Sequence, residues 1–147
     1  MNNHTKFDVP KTISTKDMFC CMLASQNHTD TKEADTLFKK RSMGSTLFDG
    51  HFEFDDYDGN IRVAFMPKLK TNCMVCQMNR TIDDEDELTG YVLQATIDGV
   101  INIIRDYTIK GYKVVIGDAK IKYKKLFNGK YTMNIDIPFI ADNEVNC

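Results

Sequence analysis

A chain of 147 residues, 42% of them apolar and 27% charged, has the make-up of one globular domain with enough apolar material for a substantial core. A net charge of −2 excludes the whole-molecule basic field of a nucleic-acid binder, so any such role must rest on a local patch. No apolar run approaches the roughly 18 residues of a membrane span, and the first residues, MNNHTKFDVPKTISTKD, lack the apolar centre of a secretory signal.

The expectation is therefore an intracellular chain whose five cysteines (Cys20, Cys21, Cys73, Cys76 and Cys147) are free thiols. Residues 1–46 are rich in Thr, Asn, Ser, Lys and Asp and hold one apolar knot, Met18-Phe19-Cys20-Cys21-Met22-Leu23. So little apolar surface does not offset the entropy of ordering by itself. The segment reads as an extended N-terminal arm, with Met18, Phe19, Met22 and Leu23 as candidate contacts to a partner subunit. A short helix over residues 31–40 would use Leu37 and Phe38.

A domain is expected over 47–140. Phe52 and Phe54 alternate with charge, Asp58-Gly59 follows, and Ile61, Val63 and Phe65 alternate in turn. Period two on both sides of Asp-Gly predicts a β-hairpin turning at that dipeptide. Pro67 closes its second strand. The next segment, CMVCQMNRT, fits either a strand or a short helical piece.

In DDEDELTGYVLQATIDGVINIIRDYTIKG, Asp84 and Glu87 have capping spacing, and the acids Asp83, Asp84, Glu85 and Asp86 suit the positive end of a helix. Leu88, Val92, Ala95, Thr96, Val100, Ile103 and Tyr107 trace one stripe, which Leu93, Ile97, Ile101 and Ile104 widen. Gly90 and Gly99 each weaken a helix by about 1 kcal/mol relative to alanine and imply close approach of another backbone. Gly111 stops the helix. Three strands complete the pattern: one through Val114 and Ile116, one in which Ala119, Ile121 and Tyr123 alternate with lysines, and one from Tyr131 to Pro138. Asn128-Gly129 reads as a two-residue turn between the last two. Residues 141–147 read as a frayed tail. The expected class is α+β: one long central helix packed on antiparallel hairpins or a meander, preceded by the arm.

The long helix, the turn "IKGY", a strand ending in "VVIGD" and a strand reading "AKIKY" resemble the middle of the bacterial HU and integration-host-factor family, over about Leu88–Tyr123. The resemblance implies a helix, a glycine turn and a strand kinked at a glycine. That family bends DNA with long basic arms tipped by a proline wedge. Here KKLFNGKY offers neither arm nor proline. Proteins with this kind of fold also serve as ring components at the neck and tail of crAss-like tailed phages of gut Bacteroides, and the chain is similar to these in its lost arm and near-neutral charge.

Chemical motifs are sparse. Cys73-x-x-Cys76 has no second pair to complete a zinc site, so buried thiols are the simpler reading. The run DDYDGN lacks the spacing of an EF-hand loop. Three histidines (His4, His28 and His51) support no Ser–His–Asp arrangement. No catalytic residue, metal or cofactor is expected. Seven lysines fall between positions 110 and 130. Of these, Lys113, Lys120, Lys122, Lys124, Lys125 and Lys130 form the candidate interaction face, and Asp83, Asp84, Glu85 and Asp86 form a candidate acidic contact for it on a neighbouring copy. The expectation is a non-enzymatic assembly protein, a phage virion component of a multimeric neck or tail ring. Its expected partners are copies of itself and neighbouring structural proteins, with no membrane. The alternative is an HU-like DNA binder using the lysine face.

Overall fold

The computed structural model describes residues 11–27, 30, 32–33, 36, 47–54, 57–81 and 85–142, with the backbone alone at 26, 27, 54, 57, 76–81, 85 and 86. In chain order the elements are β1 (Thr12–Ile13), α1 (Thr15–Asn27), β2 (Leu47–Phe54), β3 (Tyr57–Phe65), β4 (Asn72–Thr81), α2 (Glu85–Thr108), β5 (Lys113–Ile116), β6 (Ala119–Lys125) and β7 (Lys130–Asp142). The seven strands form one mixed sheet, curled into a half-barrel, in the order β1-β6-β7-β5-β3-β2 with β4 also on β7. Strands make up 45% of the chain, so the expected single helix on hairpins is not the architecture; the sheet dominates and two helices pack on it.

β7 is the spine. It pairs with β4 through residues 130–139 along one edge, and with β6 and then β5 along the other. β5 and β6 are therefore not successive strands of a meander but two halves of one bent strand. Ile116 lies opposite Phe139 and Lys120 opposite Asp136, so three residues on one side face two on the other, which is a bulge. Pro138 sits inside β7 at this bulge rather than ending the strand. The ring has no N–H to give, but its carbonyl accepts the Gly117 N–H at 2.9 Å. A Cβ on Gly117 would lie 2.9 Å from the Met66 carbonyl oxygen and 2.9 Å from Pro138 Cγ, so only glycine fits the bend.

Beyond the bend the sheet forks. β3 runs parallel to β5, with Val63, Ala64 and Phe65 opposite Val114, Val115 and Ile116, and β2 pairs with β3. On the other limb, β1 pairs with β6. α1 starts at the fork: the Ser14 carbonyl and hydroxyl accept N–H groups of Met18 and Asp17, a Ser cap. Phe19 then enters a cluster with Phe48, Phe52 and Phe65, at 5.1, 5.1 and 5.2 Å between ring centroids. Phe19, Met22 and Leu23 are buried and Met18 packs against the same core. The extended arm expected over 1–46 thus does not hold for Thr12–Asn27. The apolar knot does need a facing surface, and the same chain's β2–β3 hairpin supplies it. Leu37 and Phe38 lie outside the described residues.

The β2–β3 turn also differs from expectation. Phe54 pairs with Tyr57, so the connection is Asp55-Asp56, and Asp58-Gly59 lies inside β3 opposite Glu53 and Phe52. On α2 the stripe of Leu88, Val92, Thr96, Val100, Ile103 and Ile104 is buried, with Tyr91, Ala95, Ile101 and Tyr107 packed beside it. Leu93 is exposed and nothing approaches the Cβ position of Gly90, so the stripe is narrower than expected and no second backbone crosses there. The helix ends in a Schellman arrangement: Gly111 (φ 87°) donates to the Thr108 carbonyl, Tyr112 to the Tyr107 carbonyl, and the two tyrosine rings stand 6.1 Å apart. Among the described residues, no helix is long and apolar enough to cross a membrane.

Candidate functional site: the outer sheet face and an adjoining cleft

Alternation along β6 buries Ala119 and Ile121 and turns Lys120, Lys122 and Lys124 to the outside. In register across the strand pair these three face Asp136, Asn134 and Thr132 of β7. The outer surface is thus basic along β6 and neutral or acidic along β7 from Thr132 to Asp136. Lys130 shares this side of β7 and is exposed. Two other members of the expected lysine face lie elsewhere. Lys125 belongs to the opposite side, its Nζ 5.8 Å from the centroid of the Tyr131 ring. Lys113 stands at the far end of the sheet opposite Asp142. Asp83 and Asp84 lie outside the described residues, while Glu85 and Asp86 open α2.

The β6–β7 connection is a turn with a glycine bulge, not a two-residue loop. The Leu126 carbonyl accepts the Gly129 N–H at 3.0 Å, Leu126 N–H donates to the Lys130 carbonyl at 2.8 Å, and Gly129 takes φ 85°. Asn128 Oδ1 accepts the Lys130 N–H at 3.1 Å, which fixes the turn. Its tip presents Phe127 fully to solvent beside Lys124, Lys125 and Lys130. The sequence reading passed over Phe127, although a phenylalanine next to Asn-Gly is the available signal.

Cys73 and Cys76 lie on β4 opposite Pro138 and Ile135. Cys73 is exposed and Cys20 buried, and neither is in a disulfide.

An open cleft of about 820 Å³ lies where the β2–β3 hairpin passes the end of α2 and the start of β5. Asp49, His51 and Arg62 line it from the hairpin, and Thr108, Tyr112 and Lys113 from the other side. Arg62 Nε is 3.3 Å from Asp49 Oδ1, a half-exposed pair of small energetic weight. Thr108 Oγ1 is buried and makes no hydrogen bond. Such a hydroxyl is destabilising where it lies and is the kind of group that a bound polar atom satisfies. The lining is polar and mixed in charge, suited to a small polar group or a partner side chain. None of the family models, curated proteins or solved structures compared with the chain matches it. Its function is read from its own residues.

Proposed function

We propose that the chain is a non-enzymatic assembly protein that joins neighbouring subunits through its sheet. The observation that carries this reading is the edge of β4. Among the described residues this ten-residue strand pairs only with β7, and NCMVCQMNRT holds no proline or glycine and a single charge, Arg80. Sheet edges that stay in water are guarded by lysine, proline or bulges, because bare N–H and C=O groups recruit another strand. An unguarded edge fits addition of a strand from a second copy, with the charged outer face of Lys120, Lys122, Lys124 and Asp136 setting register between subunits. Val75 on this strand is half exposed, so Val75→Lys places a guarding charge without disturbing the core. Sedimentation of the native chain and of Val75→Lys over a concentration series tests the reading. Self-association of the native chain, lost in the variant, supports it; a native chain that stays monomeric, or a variant that associates equally, rejects it. The finer form of the proposal, a virion component of a phage neck or tail ring, rests on the resemblance described above.

A second reading is favoured by one feature, the exposed Phe127 at the tip of a turn whose flanking strands carry Lys124, Lys125 and Lys130. A ring that stacks on bases among cations that pair with phosphates fits a nucleic acid. It predicts affinity for a labelled duplex or single strand that falls steeply with salt and drops on Phe127→Ser. No binding at low salt rejects it.

A further inference from the structure

The outward side of the β2–β3 hairpin carries His51 and Glu53 on one strand and Asp58 and Asn60 on the other. In register, Glu53 lies directly opposite Asp58 and His51 opposite Asn60. Two carboxylates facing each other across an antiparallel pair make a position where a cation between them is electrostatically favourable. His51 Nε2 stands 2.7 Å from Asp58 Oδ1. One ligand atom from each of His51, Glu53 and Asp58 lies within 4.8 Å of the other two. Bonds of about 2.1 Å to a tetrahedral zinc ion place its ligand atoms roughly 3.4 Å apart. Small rotations of three exposed side chains bring this cluster to that spacing.

We propose that His51, Glu53 and Asp58 form a surface site for a divalent transition-metal cation of the zinc class, with water completing its coordination. The imidazole nitrogen selects this class over calcium or magnesium, which take oxygen ligands. The hairpin supplies the rigidity. Phe52, between His51 and Glu53 in sequence, is locked into the aromatic cluster on the inner side, so the two ligands keep their two-residue spacing on the outer side. Asp49 pairs with Arg62 next along the same side, which offsets that guanidinium charge. Of the three, His51 also lines the cleft. The site is separate from the β4 edge and does not depend on the assembly reading.

Cysteines elsewhere in the chain also take such metals, so the test must separate the donors. Co²⁺ is titrated into the reduced, tag-free chain and into His51→Ala, Asp58→Asn and Cys73→Ser, with the absorption spectrum and the binding heat recorded. The expected result is one equivalent bound with no thiolate-to-cobalt charge-transfer band. His51→Ala and Asp58→Asn each lose about tenfold or more in affinity, while Cys73→Ser is unchanged. Zinc displaces the cobalt. All the substituted side chains are exposed, so thermal unfolding of the metal-free variants remains native-like. No binding by the native chain, a thiolate band, or full affinity in His51→Ala overturns the proposal and leaves His51–Asp58 as an ordinary surface pair.

Discussion

The hydroxyl of Thr15 donates a hydrogen bond of 3.0 Å to the carbonyl oxygen of Gly117, joining residues 102 positions apart. The Thr15 N–H also reaches Asp118 Oδ1 at 3.3 Å. The first turn of α1 is thereby fastened to the bend between β5 and β6. Thr15 is fully buried, so removing its hydroxyl leaves the Gly117 carbonyl short of a partner. Thr15→Val is expected to lower stability by about 1–2 kcal/mol, and Thr15→Ser by less, in urea unfolding. Native stability in Thr15→Val would mean that the bond is incidental.

Two glycines make opposite predictions for the same change. Gly117→Ala drives a methyl into the Met66 carbonyl and the Pro138 ring, and neither is free to move. A loss of about 1–3 kcal/mol is expected. Gly90→Ala meets nothing within 4 Å on an exposed helix position and is expected to gain up to about 1 kcal/mol. Thermal unfolding of the two variants side by side checks both signs.

α1 belongs to the domain, and deleting it tests that directly. A chain lacking residues 1–27 loses the ring at the centre of the Phe48, Phe52 and Phe65 cluster and uncovers the part of α2 against which α1 packs. Loss of cooperative unfolding is the expected outcome. The point variant Phe19→Ala is expected to cost about 3–5 kcal/mol. A truncated chain that still melts in one sharp transition would return the segment to the status of an arm.

The unpartnered hydroxyl of Thr108 predicts a gain. Thr108→Val keeps the shape, removes a buried group with no hydrogen bond, and leaves the backbone carbonyl that Gly111 uses. Stability is expected to rise by about 1 kcal/mol in denaturant titration. A loss instead would show that the hydroxyl is satisfied in solution.

The parts of the fold that depend on local chemistry were legible in the sequence. The helix stripe from Leu88 to Tyr107, its glycine stop at Gly111 and the alternation of β6 and β7 all follow from period and turn residues. Register was not legible. A β2–β3 turn at Asp58-Gly59 and the observed pairing of Phe54 with Tyr57 differ by an even shift, so both keep Phe48, Phe52, Ile61 and Val63 on one face. Periodicity does not distinguish them. Non-local pairing was equally hidden: nothing near Val63 or Val114 announces a parallel match, and nothing near Phe19 says that its partners lie in the same chain. The His51, Glu53 and Asp58 cluster escaped notice for the same reason, because its members meet only in the true register.

β7 has one more consequence, for biosynthesis. It is the last of the described strands in chain order, yet β4 has no other partner among the described residues, and β5 and β6 each lack one edge without it. Throughout most of translation the four clustered phenylalanines and the apolar side of α2 wait without a closed sheet over them. A nascent chain that ends before residue 142 is therefore expected to leave apolar surface and strand edges open, the condition in which chains aggregate or need a holding chaperone.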